Sequence, residues 1–287
     1  MAKILVTGGA GFIGSHLVEE LKGHDITVLD NFSTGKVDNL ANFDGDIIVD
    51  DVQTAKVVGK FDVIYHLAAL ARIQPSIADP ITSNEVNIKG TLNMLQHAKE
   101  WGAKFIYSSS SSVYGGKVPM REDDKATPGS PYALQKYTGE EYVRIFGELH
   151  NMRCVSLRYF NVYGERQLTE GAYATAIGIF LLQKQKGKAF TINGDGNQRR
   201  DFTYVKDVVR ANVEAVDMPN GTYNVGTGRN YSINELVKLI GPDRPTFHLP
   251  KKPGEYPETL ADMKKFEKTF GWRPQTKLED WLKSLQK

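Results

Sequence analysis

The chain has 287 residues, 40% of them hydrophobic, which suffices for one large α/β domain or for a large domain with a smaller one attached. Its formal net charge of +2, with acidic and basic residues interspersed, argues against a nucleic-acid partner, and no apolar stretch reaches membrane-spanning length. The single cysteine, Cys154, excludes an intramolecular disulfide and a cysteine-based metal cluster, and its apolar neighbours predict burial.

The first half of the chain alternates short apolar runs with longer helical patterns. The runs "KILVTGG", "ITVLD", "DIIVD", "DVIYHLAA" and "KFIYSSS" predict strands covered on both faces, and "RCVSLRYF" follows as a sixth. The clearest helices are predicted over 79–102 and 130–150. This alternation predicts an α/β fold with a doubly wound parallel sheet. Since the first strand starts at Lys3, we expect no signal peptide and a cytoplasmic protein.

The pattern changes after about residue 163, where the segments become shorter and turns more frequent. We therefore divide the chain into a larger domain, residues 1–162, and a smaller C-terminal α/β lobe, residues 163–287. Part of the stretch 201–228 is expected to pack back on the main sheet. Two short helices are predicted around "INELVKLI" and "LEDWLKSL".

A glycine-rich turn, "TGGAGFIGSHL", joins the first strand to the first helix. Gly8, Gly11 and Gly14 permit a tight turn and a close approach of backbone to a pyrophosphate, which the free N–H groups of the helix start would bind. Asp30 ends the second strand, where a carboxylate accepts hydrogen bonds from an adenosine ribose and repels a 2′-phosphate. The combination predicts a Rossmann-type NAD-binding domain and favours NAD over NADP.

Further cofactor contacts are predicted at the carboxyl ends of later strands, where ligands bind in open α/β sheets. Asp51 and Val52 would flank the adenine. The fourth predicted strand ends at Leu67, Ala68 and Ala69, where small side chains would let a cofactor lie against the backbone.

A run of serines, 108–112, ends the fifth strand and is followed by "SPYALQK". The serines are also typical of a flexible loop, and Tyr132 and Lys136, one helical turn apart, are also typical of an ordinary amphipathic helix. Together they suit catalysis, because free tyrosine has a pKa of about 10. A nearby lysine ammonium would lower that pKa, so that Tyr132 could take a proton from an alcohol while hydride leaves for NAD.

These motifs resemble the extended short-chain dehydrogenase/reductase family, closest to NAD-dependent nucleotide-sugar epimerases of the UDP-glucose 4-epimerase type. The matching pieces also include "LDNFSTG", "NIKGT", "RYFNVYG", "INGDGNQRRDFTYVKD" and "TYNVGTG". The resemblance implies Ser110, Tyr132 and Lys136 as the catalytic set. It also implies a homodimer formed through helices near 80–101 and 131–150.

The resemblance extends to cofactor and substrate, with Asn87 supporting the cofactor and Phe160 near the nicotinamide. The residues assigned to NAD are Gly8, Gly11, Phe12, Ile13, Gly14, Asp30, Asn31, Ser33, Thr34, Gly35, Asp51, Val52, Leu67, Ala68, Ala69, Asn87, Tyr132, Lys136 and Phe160. The residues assigned to a UDP-sugar are Arg72, Ser111, Ser112, Asn161, Arg200, Lys252 and Thr259, with Asn161 and Arg200 holding the diphosphate. No metal site is assigned.

The reaction follows from comparison with related activities. Dehydratases of this family place an Asp-Glu pair where this chain has Ser111 and Ser112, and Cys154 lies on the wrong strand to be the extra base of a 3,5-epimerase. The resemblance therefore implies reversible oxidation at C4 of a UDP-hexose, and we expect an isomerase of carbohydrate metabolism. A non-catalytic NAD-binding role is a further alternative, although Tyr132 and Lys136 are both present.

Three departures from the family's usual pattern concern the sugar pocket. Arg72 stands where relatives carry a small or neutral residue; we expect it to face solvent or the diphosphate, but it could also pair with the carboxylate of UDP-glucuronate, in an epimerase or a decarboxylase. Lys252 replaces an arginine and offers a point charge instead of a fork. Thr259 replaces a tyrosine of some 4-epimerases and should leave room for an N-acetyl group.

Overall fold

The computed structural model describes residues 1–285. Its strands are, in chain order, β1 (Lys3–Thr7), β2 (Asp25–Leu29), β3 (Asp46–Ile48), β4 (Val63–His66), β5 (Lys104–Ser110), β6 (Cys154–Tyr159), β7 (Val162–Tyr163), β8 (Phe190–Asn193), β9 (Arg199–Arg200), β10 (Thr203–Tyr204), β11 (Gly221–Val225), β12 (Tyr231–Ser232) and β13 (Thr246–Leu249). Its α-helices are α1 (Phe12–Glu20), α2 (Ile73–Ala78), α3 (Pro80–Asn84), α4 (Gly90–Trp101), α5 (Pro131–His150), α6 (Ala176–Gln185), α7 (Val205–Glu214), α8 (Ile233–Ile240), α9 (Lys264–Phe270) and α10 (Leu278–Ser284).

A seven-stranded parallel sheet forms the centre of the molecule, which confirms the predicted fold class. The strands lie in the order β11-β6-β5-β4-β1-β2-β3. The order reverses at β1, whose Thr7 pairs with Leu29 of β2 on one side and with His66 of β4 on the other. A sheet of this kind opens a crevice for ligands beyond the carboxyl ends of the strands at the reversal. We therefore expect the candidate site beyond the carboxyl ends of β1 and β4.

One strand departs from the expected burial. β3 is the last strand of the sheet, and Asp46 and Ile47 are exposed while Ile48 is partly buried. The prediction that this run is covered on both faces is therefore wrong, because an apolar run does not distinguish an edge strand from a central one. β4, by contrast, is buried throughout.

The two long helices are present, and one of them is interrupted. α5 begins where expected, with the Ser130 side chain accepting a hydrogen bond from the Ala133 N–H and Pro131 in the first helical position. The helix predicted over 79–102 consists of α3, a π-helical turn at Glu85–Lys89, and α4. The π turn carries the buried Asn87. Turns of this kind occur frequently at functional sites.

The C-terminal part contributes to the main sheet as well as forming smaller sheets. β11 pairs in parallel with β6, and α7 packs against α1. Thus the stretch 201–228 supplies both a strand and a helix to the larger unit. β8 with β13, β7 with β10 and β9 with β12 form two-stranded sheets. The helices predicted around "INELVKLI" and "LEDWLKSL" are α8 and α10, whereas α6 and α9 were not predicted because their short sequences show no clear amphipathic period.

No helix within residues 1–285 is long enough and apolar enough to cross a membrane.

Candidate cofactor and catalytic site

The glycine-rich turn lies directly against the loop that follows β4. Gly8 has φ +71°, and a Cβ atom built on it would lie 2.7 Å from the backbone nitrogen of Ala68. A Cβ on Gly14 would lie 2.1 Å from the carbonyl oxygen of Gly8. Backbone therefore packs on backbone at both positions, and only glycine leaves the cradle at the start of α1 open for a pyrophosphate. The residues present fit a dinucleotide.

Asp30 fastens the loop after β2 to this turn. Its carboxylate accepts hydrogen bonds from the backbone N–H of Ala10 (2.9 Å) and of Phe32 (2.8 Å). Burial raises the pKa of the carboxyl group, and the two backbone donors oppose that shift. Each carboxylate oxygen keeps a lone pair, so a ribose hydroxyl can still donate to it. Asp30 both shapes the loop and suits the ribose contact predicted for it.

The other residues assigned to the adenosine half surround this loop. The side-chain amide of Asn31 donates to Asp51 (2.5 Å), and the Ser33 N–H donates back to the Asn31 side chain (3.0 Å). Val52 is buried. Phe12, Ile13, Thr34 and Gly35 are partly buried, as are Leu67, Ala68 and Ala69 after β4. Contact of all these residues with a single ligand stays a prediction.

The Asn87 side chain holds the loop after β4 by hydrogen bonding to both the N–H and the carbonyl group of Leu70. Its side chain accepts from the Leu70 N–H (2.9 Å) and donates to the Leu70 carbonyl (3.2 Å). The second amide hydrogen goes to Gln135 of α5 (2.8 Å). Both donors of Asn87 are therefore used within the protein, and it supports the site by shaping this loop. Phe160, predicted near the nicotinamide, is fully buried, so that contact stays a prediction.

Tyr132 and Lys136 occupy the first turns of α5, beside the end of β5. The backbone N–H of Tyr132 donates to the Ser76 hydroxyl (3.0 Å), which ties α5 to α2. The Lys136 ammonium donates to the carbonyl oxygen of Ser108 (2.8 Å) and lies 5.0 Å from the centre of the Tyr107 ring. Burial lowers the pKa of Lys136 to about 7, which Glu140 opposes.

Three features of its surroundings shift the pKa of Tyr132: burial, the Ser110 hydroxyl and the Arg72 guanidinium. Burial raises the pKa of its phenol, and the Ser110 hydroxyl and the Arg72 guanidinium oppose that shift. Arg72 is thus a second cation near the phenol, and the effect expected of Lys136 stays a prediction. Ser110 also acts on the phenol, and its role with Tyr132 as a catalytic pair stays a prediction.

The serine run is ordered rather than a flexible loop. Ser111 and Ser112 are buried in a 3₁₀ turn, Ser111–Tyr114, and the Ser110 hydroxyl accepts from the Ser112 N–H (3.2 Å). Among residues 1–285 the Ser112 hydroxyl has no hydrogen-bond partner. The turn holds the Ser110 side chain at the end of β5, facing the start of α5.

Arg72 points into the site. Its Nε donates to the carbonyl oxygen of Tyr173 (3.0 Å), and burial lowers the pKa of its guanidinium, opposed by Tyr132 and Glu255. The side chain is partly buried, and the two orientations expected for it, towards solvent or towards the diphosphate, stay predictions. α2 packs on α5, and the Arg72 guanidinium is near enough to Tyr132 to affect its ionisation.

Arg200, predicted to bind a diphosphate, is mostly buried and lies 3.5 Å from the carboxylate of Glu255. Lys252, from the same segment as Glu255, is exposed.

The amide nitrogen of Asn161 donates to the Asp201 carbonyl and to the Thr259 hydroxyl, both at 3.0 Å, so its donors are used within the protein. Thr259 is buried and also accepts from the Asp201 N–H (3.1 Å). Its proposed effect on sugar size stays a prediction.

Several residues at this site escaped the sequence analysis. Gln135, Ser76 and Tyr173 all position side chains named above, and the segment 253–257 covers the start of α2. There the Tyr256 hydroxyl accepts from the Gly129 N–H (2.5 Å), and Gln74 donates to the Pro253 carbonyl (2.8 Å). No local pattern marks these residues, because each acts through a contact distant in sequence.

Comparison with known proteins gives a consistent result. A model of the NAD dependent epimerase/dehydratase family matches residues 4–226. A putative UDP-glucose 4-epimerase of Methanocaldococcus jannaschii is 38% identical over 98% of this chain and 96% of its own length. The solved UDP-N-acetylglucosamine 4-epimerase of Methanobrevibacter ruminantium M1, in complex with UDP-N-acetylmuramic acid, is 36% identical with a TM-score of 0.93, covering 98% of this chain and 96% of that one.

A third similar protein binds both a cofactor and a substrate analogue. It is the UDP-glucuronic acid 4-epimerase of Bacillus cereus, solved as a mutant in which one tyrosine is replaced by phenylalanine, in complex with UDP-4-deoxy-4-fluoro-glucuronic acid and NAD. It is 33% identical with a TM-score of 0.91, over 98% of this chain and 96% of that one.

Proposed function

The chain belongs to the NAD-dependent epimerase/dehydratase family, and from that premise we propose that it inverts C4 of a UDP-hexose through a 4-keto sugar. The observation that carries the proposal is the arrangement at the start of α5. The Ser110 hydroxyl is near enough to Tyr132 to lower the pKa of its phenol, and Tyr132 lies one turn before the buried Lys136. A phenol, an orienting hydroxyl and a lysine at this end of the sheet suit the removal of a proton from a secondary alcohol.

Tyr132 accepts the proton of the C4 hydroxyl and later returns it. Because burial raises the pKa of its phenol, Tyr132 needs positive charge nearby to become a base at neutral pH. Arg72 supplies charge in the resting site, and Ser110 orients the sugar oxygen towards the phenol. Bound NAD supplies the hydride acceptor and, once the keto sugar has turned, the hydride donor.

Lys136 and the glycine-rich turn hold the cofactor in this proposal. Gly8, Gly11 and Gly14 give the pyrophosphate access to backbone N–H groups, and Asp30 receives the ribose of the adenosine. The Lys136 ammonium is anchored on the Ser108 carbonyl, which leaves further hydrogens to donate to the nicotinamide ribose. Arg200 binds the substrate diphosphate, which has to take the place of Glu255 beside it.

The serines after Ser110 argue against dehydration as the reaction. Elimination of water needs an acid and a base beside the keto sugar, and Ser111 and Ser112 are neutral hydroxyls at neutral pH. Both are buried in the 3₁₀ turn. These neutral side chains therefore favour return of the hydride to either face of C4 over elimination of water.

The test is incubation with UDP-glucose, UDP-galactose, their N-acetylated forms and UDP-glucuronate, without added NAD, monitored by NMR for inversion at C4. We expect inversion of at least one of these sugars by the wild-type protein and none by Tyr132→Phe with the same NAD content. Inversion that persists in Tyr132→Phe would remove this residue from the mechanism. A wild-type protein that holds NAD and UDP-sugar without turnover would favour the non-catalytic alternative.

A further inference from the structure

Arg72 occupies a defined position at the junction of two helices. It is the residue before α2, with extended backbone (φ −154°, ψ 147°). Ser76, one turn further along α2, accepts the backbone N–H of Tyr132 at 3.0 Å. The starts of α2 and α5 are thus tied together, and the guanidinium is close enough to Tyr132 for each group to affect the ionisation of the other.

The Arg72 guanidinium is held at one end and unused at the other. Its Nε donates to the Tyr173 carbonyl at 3.0 Å, which fixes the plane of the group. Within residues 1–285 its two terminal amino groups donate no hydrogen bond and form no ion pair within 4 Å. Four N–H bonds in a fixed fork therefore remain for a ligand, and this geometry matches the two oxygens of a carboxylate.

The charges around this group do not balance. Glu255 lies 3.5 Å from Arg200. Its carboxylate is the acidic group that raises the pKa of both the Arg72 and the Arg200 guanidinium, against the effect of burial. Two guanidinium groups thus share one carboxylate. The excess of positive charge favours an anionic ligand with more than one negative group.

The position of Arg72 relative to Tyr132 identifies the part of the sugar that it meets. In the proposed reaction Tyr132 faces the C4 hydroxyl. The exocyclic C6 is carried by C5, the ring atom next to C4, so a cation beside the Tyr132 phenol is within reach of a group at C6. Arg200, on β9, is left for the diphosphate.

We infer that Arg72 binds a carboxylate at C6 of the hexose, so that the substrate class of this site is the UDP-hexuronates. The inference rests on the proposed C4 chemistry and specifies its substrate. A neutral hydroxymethyl group would leave the Arg72 fork without an anionic partner, whereas a uronate would give it two parallel hydrogen bonds.

The same contact decides the fate of the keto intermediate. Oxidation at C4 converts a uronate into a β-keto acid, in which the C5–C6 bonding electrons can move into the carbonyl and release carbon dioxide. That step turns a charged carboxylate into a neutral molecule. A guanidinium bound to the carboxylate stabilises the charged form and opposes the step. The carboxylate is therefore retained, the hydride returns to C4, and Tyr132 returns the proton to O4.

The experiment compares kcat/KM for UDP-glucuronate and for UDP-glucose in the wild type, Arg72→Gln and Arg72→Lys. We expect the uronate-to-glucose ratio to fall by roughly ten- to a hundredfold in Arg72→Gln, the usual effect of a lost hydrogen-bonded charge, and by less in Arg72→Lys. Both variants also lose rate with UDP-glucose, because Arg72 favours the Tyr132 phenolate. Arg229→Gln, which removes an exposed guanidinium from a turn, is the control with an unchanged ratio.

The outcomes separate the inference from the function on which it rests. Wild-type inversion of UDP-glucose with no turnover of UDP-glucuronate would overturn the inference alone, as would equal losses on both sugars in Arg72→Gln. Release of carbon dioxide and a UDP-pentose would overturn carboxylate retention. A wild-type protein with bound NAD that inverts neither sugar would instead overturn the proposed function. Binding of UDP-glucuronate by Tyr132→Phe, weakened when Arg72→Gln is added, would support the contact without relying on turnover.

Discussion

Tyr132 has to lose its own phenol proton before it can accept one from the C4 hydroxyl, and burial, which raises its pKa, works against that loss while one hydroxyl and one guanidinium favour it. Tyr132→Phe removes the proton acceptor, and we expect kcat to fall by about a hundred- to ten-thousandfold. Ser110→Ala removes only an orienting hydroxyl and should cost much less. Steady-state rates on the substrate that the wild type inverts best measure the two effects. Comparable residual rates for the two variants would contradict this division of roles.

The hydroxyl of Thr259 links the C-terminal lobe to Asn161, which lies between β6 and β7. It accepts from the Asn161 side chain (3.0 Å) and from the Asp201 N–H (3.1 Å). Thr259→Val keeps the shape but leaves two buried donors without an acceptor, so we expect the free energy of unfolding to fall by about 1–3 kcal/mol. Thr259→Ser keeps the hydroxyl and should lose less. Urea unfolding of both variants tests this, and equal losses would show that the hydroxyl contributes little.

At the scale of a single element, α5 depends on one close contact with the sheet. Gly139 faces β5, and a Cβ atom on it would lie 2.2 Å from the Tyr107 hydroxyl. Tyr107 is fully buried and cannot move aside easily. Gly139→Ala should therefore lower the free energy of unfolding by about 1–3 kcal/mol, because overpacking outweighs the gain in helix propensity.

Gly147, in the same helix, is the matched control. The nearest atoms to a Cβ there lie at 3.6 Å, an ordinary contact distance. Gly147→Ala should therefore show the helix propensity alone and raise the free energy of unfolding by about 0.5–1 kcal/mol. Denaturant unfolding at equal NAD content compares the pair. We expect the two variants to change the free energy of unfolding in opposite directions. A stabilising Gly139→Ala would mean that α5 does not pack closely against Tyr107 at this position.

Sequence periodicity predicted most strands of the main sheet and the long helices, but few of the contacts between elements. The spacing of Tyr132 and Lys136, with Ser130 before them, predicted the start of α5 because capping and the helical repeat are local properties. The position of Arg72 beside Tyr132 depends on how α2 packs on α5. The pairing of Glu255 with Arg200 likewise depends on the path of a distant segment. Such contacts have no repeat in the sequence from which they could be predicted.

At the scale of the whole molecule, the cofactor is expected to remain bound through every turnover. A hydride taken from C4 and returned to C4 leaves NAD unchanged, so release brings no advantage. The purified protein should therefore carry NAD, which denaturation and chromatography of the supernatant would detect. Failure to find nicotinamide, together with activity that requires added NAD, would contradict the expectation.

The order of the strands also has a consequence during synthesis on the ribosome. β6 ends at Tyr159, but β11, which pairs with it, begins only at Gly221. At a translation rate of ~5–20 residues per second, the ribosome needs roughly 3–12 s to make the intervening segment. During that time the nascent chain presents an unpaired apolar strand edge, the feature through which polypeptides aggregate. The edge of β6 in the six-stranded sheet thus stays unpaired until β11, encoded about sixty codons downstream, has been synthesised.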